Sequence, residues 1–137
     1  MEIKKVVNFI FELGQLKKQA RTGWWLAGVK DPSSVAEHTL RAAQIGYILA
    51  VMEGVNPERV ASILIMHDNV ETRTGDQNKV TARYINTNES EQQVLKEQSE
   101  NLGEEISEKL KQYFNEIEKR NTKEGRCFRR ASSRVNL

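Results

Sequence analysis

Apolar residues recur at three- and four-residue intervals along most of this chain, a spacing that predicts helices with one buried face. Ile3, Val6, Val7, Ile10, Phe11, Leu13 and Leu16 mark such a stripe over residues 3–18. A loop over residues 20–34, with two glycines and a proline, separates it from a second helix. Ser34 and Glu37 form a capping box that starts this helix, which should run to about Met52 with Val35, Leu40, Ala43, Tyr47, Ile48 and Val51 inward. Gly54 ends it, and Asn56 with Pro57 begins the next. The run Ala61 to Met66 is apolar on nearly every face, which makes its helix the central one. That helix breaks at Gly75. Residues 77–86 can make a short helix, with Val80, Tyr84 and Ile85 inward. A long polar helix over 89–120 follows, with Val94, Leu95, Leu102, Ile106, Leu110, Phe114 and Ile117 as its stripe. The pattern thus predicts an all-α bundle of about five helices over residues 1–124. Residues 125–137 show no helical stripe and read as a basic, disordered tail.

Composition narrows the class. A chain of 137 residues suits one domain, and 29% charged with 38% apolar residues suits a water-soluble, helix-rich protein. No apolar run approaches the roughly 18 residues of a membrane span, and the N-terminus lacks a signal-peptide pattern, so a cytoplasmic protein is expected. The one cysteine, Cys127, cannot form an internal disulfide. The net charge of +2 is uneven: Arg126, Arg129, Arg130 and Arg134 are 4 of the 21 basic residues, which leaves 17 against 19 acids in residues 1–125. Such a tail is either a weak nucleic-acid contact or simply solvated. Gly-rich phosphate loops, CxxC pairs and Ser-centred nucleophile motifs are absent from the sequence.

The chemistry concentrates at the end of the central helix, where His67 and Asp68 stand side by side. Imidazole and carboxylate both ligate divalent transition metals, and Glu71, four residues after His67, adds a proton-handling group. The only other histidine, His38, lies in the preceding helix, and antiparallel packing of the two helices would bring it to the His67-Asp68 pair. The plainer possibility is that both histidines complete a helical interface. Upstream, Arg21, Thr22, Gly23, Trp24 and Trp25 combine a cation suited to phosphate with broad aromatic faces suited to a base or sugar. Equally, the tryptophans could plug the core beneath a loop. Asp76 follows Gly75 in a turn beside the proposed site.

Taken in order, RTGW, VAEHTLRAAQIGYILA and HDNVETRTGD resemble the HD-domain phosphohydrolases, and among them the 5′-deoxynucleotidase branch. The resemblance spans about Gly14 to Tyr84. It implies an all-α fold and hydrolysis of deoxyribonucleoside 5′-monophosphates to deoxynucleoside and phosphate. It implies that His38, His67 and Asp68 hold a divalent transition metal (Mn, Co, Fe, Ni or Zn), with Glu71 as acid/base or water-orienting residue. Arg21 and Trp24 would line the nucleotide pocket, and Asp76 would lie near the sugar or the reacting water.

One departure stands out. The family completes its metal shell with an Asp from a later helix, whereas nothing after Glu124 here is acidic. This points to a helical domain incomplete at its C-terminal end through truncation or a shifted reading frame, and to a weaker three-ligand site. Truncation would leave the Val60–Val70 and Leu95–Ile117 stripes open, so a homodimer or higher oligomer is expected. The competing reading is a catalytically impaired binding protein that keeps the pocket.

Overall fold

The capping box at Ser34 and Glu37 is present in the computed structural model, which describes residues 2–100 and 102–134. The Ser34 amide donates to Glu37 Oε2 at 2.6 Å and the Glu37 amide to Ser34 Oγ at 3.2 Å. The next start is equally local: Asn56 Oδ1 accepts from the Arg59 amide at 2.9 Å, with Pro57 in the first turn. The chain is all-α as the spacing predicts. Its helices are α1 (Ile3–Leu13), α2 (Gly23–Leu26), α3 (Val35–Glu53), α4 (Pro57–Met66), α5 (Glu71–Thr74), α6 (Asn88–Ser99), α7 (Glu104–Lys119) and α8 (Lys123–Arg134). Short 3-10 turns occupy Gly14–Lys18 and Thr81–Arg83, the latter all that forms of the helix expected over 77–86. Outside the helices, one isolated bridge pairs Ala20 with Ser34 among the described residues.

The chain divides into two compact units, Met1–Glu37 with Asn69–Glu108 and His38–Asp68 with Lys109–Leu137. In the second unit, Ala42, Ala43 and Ala50 of α3, Val60, Ile63 and Leu64 of α4, and Cys127, Phe128 and Ala131 of α8 form one buried cluster. Small residues let these helices approach closely. A Cβ on Gly46 would run into the side chain of Leu64, with Val60 and Ala131 also within van der Waals reach. This corrects the face expected for α3: Leu40, Tyr47, Ile48 and Val51 are exposed, Leu40 by 62%, and the alanines and Gly46 turn inward. Size misled the sequence reading, because close helix packing here favours the smallest side chains.

The expected disordered tail is instead α8. Thr122 caps it, accepting from the Gly125 amide at 2.9 Å and donating to Glu116 Oε1 at 2.6 Å, while Arg59 donates to Glu116 Oε2 at 2.7 Å. A short stripe of Cys127, Phe128 and Ala131 is buried, and Arg126, Arg129 and Arg130 lie on the exposed face, Arg130 paired with Glu53 at 2.7 Å. Val60, Ile63 and Leu64, expected to lie open, are therefore covered, and α4 packs on α8.

The helix expected over 89–120 is two, α6 and α7, broken where Gly103 takes a φ of 90°. Gln98, Ser99 and Leu102 at this break are buried. Of the stripe expected as core over residues 3–18, Leu16 is buried, but α1 itself buries no residue: Ile3, Val7, Ile10 and Phe11 are exposed, Phe11 by 75%. What ties α1 down is its one acid, Glu12, which accepts from Arg73 Nε at 2.7 Å, Arg73 Nη2 at 2.9 Å, Gln98 Nε2 at 2.8 Å and Thr72 Oγ1 at 3.0 Å.

Candidate metal centre

Helix α4 ends at Met66, and His67, still at α-helical angles, caps it with Asp68 following. His38 sits one turn into α3. The close approach of α3 and α4 at Gly46 belongs to the same unit, and there the two histidines and the aspartate converge. One ligand atom from each of His38, His67 and Asp68 lies within 4.8 Å of the others. His67 Nε2 is 2.9 Å from Asp68 Oδ1, and His38 Nε2 is 3.8 Å from Asp68 Oδ2. Thr39 Oγ1 donates to Asp68 Oδ2 at 3.5 Å, and all three side chains are nine-tenths or more buried.

The hydrogen bonds fix the tautomer of His67. Its Nδ1 lies 2.6 Å from the Leu64 carbonyl oxygen, which only accepts, so Nδ1 carries a proton and Nε2 is the nitrogen left for a ligand. Nε2 faces a carboxylate oxygen at 2.9 Å. Two acceptors this close require positive charge between them, either a second ring proton or a cation. Two imidazoles and one carboxylate suit a divalent transition metal, and open catalytic sites commonly have three protein ligands. The donor set therefore fits a metal.

Phe128 meets His67 from α8, with ring centroids 5.1 Å apart and planes at 77°. The sequence pattern gave Phe128 no such role, because only a folded α8 places it there.

The other expected site residues belong to the first unit. Glu71 opens α5 and is half-buried, so a turn separates it from α4 and it does not continue that helix. Arg21 and Asp76 are brought together. Asp76 Oδ2 accepts from the Thr22 amide at 2.8 Å, and Arg21 Nη1 lies 3.4 Å from Asp76 Oδ1. Gly75, at φ 72°, makes the turn that presents Asp76. The loop before α2 is held open-ended by backbone pairs, Arg21 N–H to the Ser33 carbonyl at 3.0 Å and Val35 N–H to that of Gln19 at 2.8 Å. Trp24 is half-buried and Trp25 is 54% exposed, so Trp25 does not plug the core.

Thr72, Arg73, Gln98 and Glu12 were not singled out by sequence. Together they anchor the segment after the His-Asp pair, since Gln98 Nε2 also donates to the Asn69 carbonyl at 3.1 Å and Arg73 Nη1 to Glu97 at 2.7 Å. Arg73 is the main reason the Glu12 carboxyl is held down to about 2, against the desolvation that opposes it.

A family model described as HD domain matches residues 13–135. The chain belongs to the HD-domain family. This match reaches through α8, well beyond the Gly14–Tyr84 resemblance. The 5′-deoxynucleotidase HDDC2 of Bos taurus is 27% identical over 126 residues, 90% of this chain and 60% of that protein. The 5′-deoxynucleotidase hdd1 of Schizosaccharomyces pombe is 37% identical over 71 residues, 52% of this chain and 35% of that protein. A conserved hypothetical protein of Pyrococcus furiosus superposes with a TM-score of 0.77 at 31% identity, covering 92% of this chain and 74% of that one. The chain thus spans less than two thirds of the curated relatives it matches.

Proposed function

We propose that this HD-domain chain is a metal-dependent phosphohydrolase, and that it acts as a 5′-deoxynucleotidase, releasing phosphate from deoxyribonucleoside 5′-monophosphates. The observation that carries the reading is the convergence of His38, His67 and Asp68, with His67 Nε2 2.9 Å from Asp68 Oδ1. The names of the bovine and yeast relatives support the substrate class.

In this reading His38, His67 and Asp68 hold a divalent transition metal. A cation so held polarises a phosphoryl oxygen and lowers the pKa of water from 15.7 towards about 7. Glu71 orients the attacking water and takes its proton. The water oxygen bonds to phosphorus, the bond to the 5′-oxygen breaks, and that oxygen leaves as the deoxynucleoside hydroxyl with the proton returned by an acid. Arg21 offsets charge on the phosphate, its guanidinium lying 3.4 Å from Asp76 Oδ1 and carrying donors suited to phosphate oxygens. Trp24 gives an apolar face for sugar or base. Asp76, whose carboxylate accepts from the Thr22 amide, is assigned to the sugar or the reacting water. The exposed α1 stripe of Ile3, Val7, Ile10 and Phe11 supports a homodimer or higher oligomer. No helix among the described residues is long and apolar enough to cross a membrane, and a cytoplasmic location is part of the proposal.

One observation favours a second reading, a binding protein with impaired catalysis: the side chain that α8 brings to His67 is Phe128, which cannot ligate. Phosphate release separates the two. Protein loaded with Mn²⁺ or Co²⁺ should hydrolyse deoxynucleoside monophosphates faster than ribonucleotides, diphosphates or triphosphates. Faster turnover of a triphosphate would reject the nucleotidase assignment, and tight metal binding without any hydrolysis would favour the binding protein.

A further inference from the structure

A metal-ligating histidine is aimed both by hydrogen bonds to its ring and by the side chains that pack against the ring. For His67 the first restraint is the Leu64 carbonyl on Nδ1 at 2.6 Å. The second is geometric. Phe128 stands edge-to-face with the imidazole, centroids 5.1 Å apart and planes at 77°, the arrangement in which aromatic rings attract. Phe128 is itself buried in the cluster with Ala42, Ala43, Ile63 and Leu64, so it cannot move aside without opening a cavity. Rotation of His67 about the Leu64 bond would drive the imidazole into that ring.

We propose that Phe128 is a positioning residue for the metal centre, holding the His67 ring so that Nε2 points at Asp68, and that α8 is thereby a working part of the site. The inference rests on the metal reading of His38, His67 and Asp68. It assigns Phe128 no ligation and no contact with substrate. Groups that orient a metal ligand from behind typically change metal affinity about 10- to 100-fold when removed, and the lower end is expected here because the Leu64 bond remains.

The test is Co²⁺ binding by the full chain, measured by calorimetry and by the visible absorption of the bound ion. Phe128→Leu keeps apolar volume but removes the ring, and should weaken binding about 10-fold. Phe128→Tyr retains the ring edge and should bind as the unaltered chain does. Cys127→Ala removes a neighbouring core side chain and should leave affinity unchanged. Equal affinity in folded Phe128→Leu would overturn the proposal, as would an equal loss in Cys127→Ala, which would reduce the effect to general core damage. Should Phe128→Leu fail to fold, hydrogen exchange on the unaltered chain decides: Co²⁺ should slow the α8 amides around Phe128 more than those of α6, and uniform slowing would refute the coupling. An unaltered chain that takes up no Co²⁺ sinks the metal reading itself, whereas uptake with an indifferent Phe128 sinks only this inference.

Discussion

Replacing Glu12 by Gln preserves the shape of the side chain but removes the charge on which four donors converge. Two of those donors are the Nε and Nη2 of Arg73, at 2.7 and 2.9 Å, a forked pair with the carboxylate. They depress the folded-state pKa of Glu12 from 4.5 to about 2, with Gln98 and Thr72 assisting and burial opposing. A depressed carboxylate contributes stability that is fully present above its unfolded pKa and is lost as pH falls through the folded value. The window is therefore pH 4.5 down to about 2. That depression from 4.5 to about 2 corresponds to at most about 3.4 kcal/mol. Glu12 is 22% exposed and Arg73 38%, so solvent screening reduces this to about 1–2 kcal/mol. Glu12→Gln should lower stability at pH 7 by that amount, or the melting temperature by about 3–8 °C. Urea denaturation followed by circular dichroism at pH 7, 5, 4 and 3 is the assay. The gap between the two proteins should hold to about pH 4.5 and shrink below it, as the unaltered Glu12 becomes protonated too. A gap that is absent at pH 7, or that stays constant to pH 3, would refute the electrostatic account of how α1 is held.

Gly46→Ala places a methyl group against Leu64 and should cost about 1–3 kcal/mol by denaturation; an unchanged midpoint would mean that the helices separate easily. Glu71→Ala should lower turnover about 10²-fold or more with metal content unchanged, and release of metal instead would make Glu71 a ligand. The unaltered chain should scatter light as a dimer or larger at micromolar concentration, with Phe11→Lys shifted towards monomer; a clean monomer would leave the α1 stripe unexplained.

Much of this was legible in the sequence because it is encoded locally. The caps at Ser34 and Asn56, the turn at Gly75 and the adjacency of His67 and Asp68 depend on residues a few positions apart. What failed depended on which neighbour a face meets. The α3 pattern of Leu40, Tyr47, Ile48 and Val51 is a valid helical stripe, yet Gly46 and three alanines form the tighter contact. The stripe of α1 is just as regular and is left exposed. In α8 the buried face is only Cys127, Phe128 and Ala131, too few and too small to outweigh the arginines in a composition reading. The cap at Thr122 was a readable signal that arginine content obscured. Glu12 and Gln98 lie 86 residues apart, and nothing local announces that they meet.

The claim on which the functional account stands is that His38, His67 and Asp68 share one ion, and metal content measures it directly. Protein purified without chelator and equilibrated with Mn²⁺ or Co²⁺ should bind one ion per chain by elemental mass spectrometry, and His67→Ala, His38→Ala and Asp68→Ala should each reduce this towards zero. Retention of the same stoichiometry in His67→Ala, with the protein folded, would place any metal elsewhere and contradict the account.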